Sequence, residues 1–292
     1  PEMSRGLGDV YKRQPLYSVI RGGMVGHTLQ AIPTWEQYDE NRTGGYGGLY
    51  GDVVNLTHPL GMVDDNLMKR YSDNVKIFAN AYVSVELMKG LKYKLNLTPD
   101  FQFYRYNSYE GLFDFGLAKH DITAVTEQQT RTRNILVENL LTFDRTFGDH
   151  KVSALVGYTY QDSRYRYMQG SGQGMPTGIT EIDAASQGLA VSGNSSRSVL
   201  TSILGRAFYS YKNRYLLTAT IRRDGSSKFG SNYRYGNFPS VSVGWNIAEE
   251  DFVKNSVSWL DQLKLRGGYG VLGNQEIDNY QYVSVVTTGI NY

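Results

Sequence analysis

The sequence predicts an all-β chain, an antiparallel sheet of the kind that walls a transmembrane β-barrel, and three observations carry that prediction. First, the 292 residues hold 24 Tyr and 32 Gly but only 7 Pro, a composition suited to pleated strands joined by turns. Second, long segments alternate apolar and polar residues with a period of two. Third, the connections alternate between turns of a few residues and long polar stretches, the asymmetry expected of an outer-membrane barrel with short turns on one rim and loops on the other.

From Lys76 the elements follow in order. Ile77, Ala79, Ala81, Val83, Val85 and Leu87 share one face, with Asn80, Tyr82, Ser84 and Glu86 on the other. Lys89-Gly90 then turns the chain, and Leu91, Tyr93, Leu95, Leu97, Phe101 and Phe103 return opposite Lys92, Lys94, Asn96, Thr98 and Gln102. A second hairpin places Ile135, Val137, Leu141 and Phe143 before a turn at Gly148-Asp149, with Val152, Ala154, Val156, Tyr158 and Tyr160 after it. A third runs from about Val199 to Tyr211, turns at Lys212-Asn213 and returns through Tyr215, Leu217, Ala219 and Ile221. Its first arm alternates poorly, because Leu200, Leu204 and Phe208 fall on the polar face beside Ser202 and Arg206. A fourth pair sets Val241, Val243, Trp245 and Ile247, then Leu263, Leu265 and Tyr269, against Ser, Asn, Lys and Arg neighbours.

Between the hairpins lie Tyr104 to Arg133, Asp162 to Arg197 and Asp224 to Asn237, read as long loops; Glu249 to Asp261 is a longer turn within the fourth pair. A strand tilted at ~45° needs ~9 to 11 residues to cross the hydrocarbon, and these strands meet that length, whereas strands of soluble domains cluster near ~5 to 6. Tyr158, Tyr160, Tyr209, Tyr211, Tyr215 and Trp245 stand near strand ends, where aromatic girdles meet the two membrane interfaces. Periodicity alone also fits a soluble sandwich, but no fixed repeat supports a propeller or solenoid.

Composition excludes several classes. A net charge of +2 with both signs interspersed gives no single-sign field for nucleic acid. With no Cys, the chain has no disulfide framework and no thiol nucleophile. No apolar run approaches the ~18 residues of a spanning helix. The chain reads as an internal piece: residues 1–14 as a non-native leader, residues 15–75 as a strand end and long loop containing GGYGG, and residues 76–292 as barrel-wall hairpins that stop in a β-rich run from Val283 to Tyr292.

The stretch RYLLTATIRRDGSSKFGSNYRYGNFPSVSVGWNIAEEDF, Arg214 to Phe252, followed by WLDQLKLRGGYGVLGNQEIDNY, Trp259 to Tyr280, resembles the SusC/RagA family of TonB-linked outer-membrane proteins. KIFANAYVSVELMKGLKYKL and NLLTFDRTFGDHKVSALVGYTYQ upstream resemble the same family's barrel, so the resemblance covers about Lys76 to Tyr282. It implies about nine strands of a barrel of about 22, an open curved sheet when taken alone, with the plug domain and TonB box upstream of the residues present. It also implies an outer-membrane importer of glycans or peptides, contacting the TonB complex through that upstream segment and capped by a SusD-like surface lipoprotein. The alternatives from other classes are a passive porin or adhesin barrel and a soluble all-β carbohydrate-binding or enzymatic domain.

Candidate site residues follow from the alternation. Glu86, Lys92, Lys94, Arg206, Arg222, Lys264 and Arg266 are expected on the lumen face, because a charge facing lipid near mid-membrane costs ~2 to 4 kcal/mol. Tyr104, Tyr106, Tyr109, Phe113, Phe115, Tyr165, Tyr167, Tyr233 and Tyr235 are expected in the loops, either as platforms for sugar rings or a protein partner or as rim packing. DGSS at Asp224 to Ser227 reads as a tight Asp-Gly turn. His27, His58, His120 and His150 show no paired spacing for zinc or a triad, and Glu249 with Glu250 reads as a solvated turn pair. No catalytic residue, cofactor or metal is indicated.

Overall fold

The structure, a computed structural model, describes residues 36–48, 58–116, 118–256 and 259–282. Expectations for the leader at residues 1–14, for His27 and for the run from Val283 to Tyr292 lie outside the described residues. The described residues form eleven strands: β1 (Met68–Phe78), β2 (Ala81–Met88), β3 (Leu91–Glu110), β4 (Phe113–Asp114), β5 (Lys119–His120), β6 (Ala124–Phe147), β7 (His150–Gln173), β8 (Gln187–Tyr211), β9 (Tyr215–Ser226), β10 (Tyr235–Asn246) and β11 (Lys264–Gly270). One short helix, α1 (Asp251–Lys254), sits in the turn after β10. Nine strands make one sheet in the order β1-β3-β6-β7-β8-β9-β10-β11, with β2 also on β3; β4 and β5 form a separate pair.

The hairpin turns lie where the alternation breaks. Gly90 and Gly148 take positive φ, 85° and 59°. Lys212 and Asn213, at φ 52° and 54°, both take the left-handed conformation that suits a two-residue hairpin. β1 and β2 are two stretches of the strand predicted as one, interrupted at Ala79-Asn80. The cause is Pro99 on the facing strand: its carbonyl accepts the Ala79 N–H at 3.1 Å, but its nitrogen has no proton to return.

The long connections predicted between hairpins are largely strand. β3 continues through Tyr104 to Glu110, β6 begins at Ala124, β7 runs on to Gln173 and β8 begins at Gln187. These strands reach 20 to 25 residues, well beyond the ~9 to 11 that cross a bilayer. Polar, Gly- and Ser-rich sequence hid them, because a strand with no apolar face leaves no alternation to read. β1 likewise begins at Met68, inside the stretch read as loop.

The chain divides into two compact units whose boundaries fall within β1, β3, β6, β7 and β8. The first takes residues Pro1–Val75, Gln102–Arg131 and Arg166–Ser195. Leu67, Phe113 and Phe115 form one of its cores, with Tyr46, Met68 and Ala118 against them. Tyr109, Val125 and Met175 form the other, under Ile182, Ala184 and Ala185.

The second unit takes residues Lys76–Phe101, Thr132–Tyr165 and Ser196–Tyr292 and inverts that pattern. Among its described residues only Ala248 and Val253 are buried hydrophobics. Val83, Val85, Leu97, Val156, Ile203, Leu217, Ile221, Val241, Val243 and Leu265 are all exposed. Register shows that they share a face: Val83 opposes Leu95 and Val85 opposes Tyr93, while Val241 opposes both Ala219 and Tyr269, and Val243 opposes both Leu217 and Gly267. The face of opposite parity carries Ser84 against Lys94, Glu86 against Lys92, Arg206 against Thr220 and Gly244 against Arg266. Leu204 opposes Arg222 and Phe208 opposes Thr218, which places these two apolar residues on the polar face as the alternation implied.

Candidate functional site

The second unit leaves an apolar face uncovered, whereas soluble monomers rarely expose apolar patches beyond a few hundred Å². The opposite face is where solute chemistry can occur, and several of its polar side chains are tied to one another. Lys94 lies 4.4 Å from the Tyr82 ring centroid, and the Asn96 amide donates to Glu138 at 2.8 Å. Arg222 donates to Asp224 at 2.6 Å and to the Ser202 hydroxyl at 3.0 Å. Asp224 is therefore a strand residue opposing Ser202 and Gly236. This corrects the tight-turn reading of DGSS: β9 carries through Gly225 to Ser226. Gly225 is required there because an added Cβ would stand 2.4 Å from the Tyr235 ring.

Beyond that point the end of β9, the start of β10 and the segment after β11 border a cleft of about 430 Å³, lined by Arg222, Asp224, Phe229, Tyr233, Arg234 and Phe238 among others. Tyr235 borders the cleft from β10, but its ring lies 5.1 Å from the Arg223 guanidinium carbon, on the face of opposite parity that carries Ile221 and Val241. Aromatic faces beside a fork of Arg donors and a carboxylate can stack on a sugar ring or peptide group while bonding its polar edge.

The aromatic candidates thus separate. Tyr233, 83% exposed in a single 3-10 turn, stands at this cleft, while Tyr235 turns its ring to the other face beside Arg223. Tyr109, Phe113 and Phe115 are buried core of the first unit; Phe113 and Phe115 stack at 4.4 Å, and the Tyr109 hydroxyl accepts the Gly178 N–H at 2.9 Å. Tyr104 and Tyr106 are half-buried within β3, Tyr165 is exposed within β7, and Tyr167 is half-buried there. Seven of the nine are accordingly not loop residues: only Tyr233 and Phe115 stand outside strands. In the same unit His58 is buried between Tyr46 and Phe115, its Nδ1 accepting the Gly61 N–H at 3.3 Å. Burial pushes its pKa below the ordinary imidazole value of 6.5.

Two polar clusters escaped the sequence reading. Near the short turns, the buried Glu250 carboxylate accepts the Tyr215 hydroxyl at 2.6 Å, the Trp245 indole N–H at 2.9 Å and the Arg214 guanidinium at 3.1 Å. The Tyr215 and Trp245 bonds hold its carboxyl below the usual carboxylate range. Glu250 is thus a tie between turn and strands rather than a solvated residue, while Glu249 pairs with Lys254 at 2.7 Å. Midway along β7, Asp162 is contacted by Arg133 at 3.3 Å, Arg164 at 3.3 Å and Arg197 at 2.9 Å. Asp162 shares parity with Val156 and Tyr158, so a closer count along β7 would have placed it on the apolar face.

Relatives agree with this architecture. Over 215 residues the chain is 31% identical to a TonB-dependent receptor of Formosa agariphila, covering 72% of this chain and 20% of that protein. A second receptor of the same organism is 30% identical over 269 residues, covering 89% of this chain and 26% of the relative. The TonB-dependent receptor SusC of Bacteroides thetaiotaomicron is 46% identical over 97 residues, 33% of this chain and 10% of that one. No family model matches. Among solved structures, a RagAB peptide importer in an open-open state superposes with a TM-score of 0.74 at 21% identity, over 84% of this chain and 27% of that chain. A second RagAB peptide transporter structure gives 0.72 at 22% identity, over 81% and 27%.

The fold and its two-faced wall define an antiparallel sheet of the outer-membrane barrel type. The chain belongs to the TonB-dependent receptors, and it spans about a fifth to a quarter of the length of the first two curated relatives.

Proposed function

We propose that this chain is barrel wall of a TonB-dependent outer-membrane importer, with the exposed apolar face against lipid and the polar face lining the solute path. The observation that carries it is the second unit's inverted burial, with apolar residues exposed on one face and Glu86, Lys92, Lys94, Arg206 and Arg266 on the face of opposite parity. The relatives' names support energised uptake, and SusC and RagAB support an oligomeric nutrient, glycan or peptide, taken in beneath a SusD-like lipoprotein. The cleft at Tyr233, Arg222 and Asp224 suits such a solute at the far end of the lumen face.

The test is deletion of the full-length gene, followed by growth on panels of oligosaccharides and peptides as sole nutrient. Loss of growth on one class of oligomer, reproduced by deleting tonB, supports the reading. Uptake unchanged by either deletion refutes it, and uptake lost without the receptor but kept without tonB identifies a passive porin.

A further inference from the structure

We propose that Arg133, Arg164 and Arg197 form a binding site for the phosphate of an anionic lipid headgroup in the outer leaflet, on the lipid-facing side of the wall. The inference rests on the membrane placement proposed above and adds a ligand which that reading does not require.

Three observations carry it. The first is charge. Three guanidiniums converge on one carboxylate, with Asp162 at 9% side-chain exposure and the arginines at 38%, 48% and 48%. The cluster keeps a net charge of about two positive units, and like charges this close oppose one another. Arg133 reaches Asp162 through Nη2 alone, Arg164 and Arg197 through Nε and Nη2, and Arg133 Nε is buried without an acceptor. A phosphate matches the planar guanidinium fork and would neutralise the excess.

The second is the face. In β7, Asp162 and Arg164 continue the parity of Val156, Tyr158 and Tyr160; in β8, Arg197 shares the parity of Ile203; in β6, Arg133 shares that of Ile135 and Leu141. Val156, Tyr158, Ile203 and Leu141 are exposed. The arginines therefore stand on the apolar side of the wall, where the lumen-lining reading of strand charges gives them no role.

The third is height. Asp162 lies roughly a dozen residues along β7 from the short turn, and ~3.3 Å per residue at a ~45° tilt raises it ~28 Å. An outward apolar band on such barrels is ~25 Å tall, so the cluster sits just past it, at headgroup level. The Tyr160 hydroxyl, 3.5 Å from Arg197, occupies the boundary as an interfacial aromatic would.

The experiment uses the full-length receptor extracted from its own outer membrane, with mass spectrometry of the phosphorylated glycolipid it retains. Wild type should retain the lipid, and the triple variant Arg133→Gln, Arg164→Gln, Arg197→Gln should lose it by at least about tenfold, the effect of a charge-assisted bond. Heat-modifiable gel migration is scored on both. Equal retention by two heat-modifiable proteins overturns the site while leaving the importer reading intact; a receptor absent from the outer membrane overturns both. A second measurement needs no variant: wild-type receptor in detergent is titrated with lipid A, with enzymatically dephosphorylated lipid A and with inorganic phosphate. Preference for phosphorylated lipid A over both others is expected, and equal binding of dephosphorylated lipid or of inorganic phosphate contradicts the lipid assignment.

Discussion

Replacing Val241 by Lys places a charge where the proposed membrane is driest. Val241 lies four residues before Trp245, whose indole is tied to Glu250 at the short-turn rim. Four residues at ~3.3 Å and ~45° raise it ~9 Å above that girdle, close to the middle of a ~25 Å band. Its facing neighbours, Ala219 and Tyr269, offer no carboxylate. The cost should be ~2 to 4 kcal/mol, the depth-dependent value for Lys on the lipid face of such a barrel. Ser242→Lys, one residue along, turns to the other face opposite Thr218 and Gly268 and should change stability by less than ~0.5 kcal/mol. The assay is urea titration of the full-length receptor refolded into lipid vesicles, each variant read against wild type. Equal effects of the two substitutions, or a larger one at Ser242, would refute the assignment of faces.

Other consequences can be checked in the same protein. Phe115→Ala, at a fully buried ring stacked on Phe113, should cost ~3 to 5 kcal/mol in the first unit, seen as faster hydrogen exchange around residues 58–63 and 113–116. Gly61→Ala would bring a Cβ to 2.3 Å from the same ring and should cost ~1 to 3 kcal/mol by overpacking, on the same readout. His58 is held neutral by burial, so the unfolded chain takes up a proton more readily than the folded one. The first unit should keep its full stability above the ordinary histidine pKa and lose it as pH falls below 6.5, a dependence absent in His58→Phe. Glu250→Ala removes the acceptor of Trp245 and Tyr215, and should shift the emission of Trp245 to longer wavelength as water reaches the indole.

The wall was legible where two environments differ. Val241, Val243 and Trp245 alternate with Ser240, Ser242 and Gly244, which leaves one face of the sheet apolar and the other polar, and the pairings with Leu217 and Ala219 follow. Turns were legible for the same kind of reason, since Gly90, Gly148 and the Lys212-Asn213 pair are local conformational demands. The distal halves of β6, β7 and β8 were not legible. Neither face of residues such as 124–132 or 187–196 is uniformly apolar, so extended pairing there leaves no periodic trace. The buried roles of Tyr109, Phe113 and Phe115 depend on partners such as Met175 and Leu67, which are distant in sequence. Glu250 was misread because its acceptor role depends on Tyr215 and Trp245 arriving from β9 and β10. The arginines around Asp162 come from three strands, and only the fold brings them together.

The central claim, that the uncovered face meets lipid, is tested most directly by spin labels at each position from Leu216 to Ile221 in β9. The 292 residues contain no Cys, so this segment brings no competing thiol of its own. In the full-length receptor in membranes, collision with oxygen should peak at Leu217, Ala219 and Ile221 and fall at Leu216, Thr218 and Thr220, while a water-soluble nickel complex reaches none of the first three. A profile without a two-residue period, or free nickel access at Leu217 and Ala219, would contradict the account.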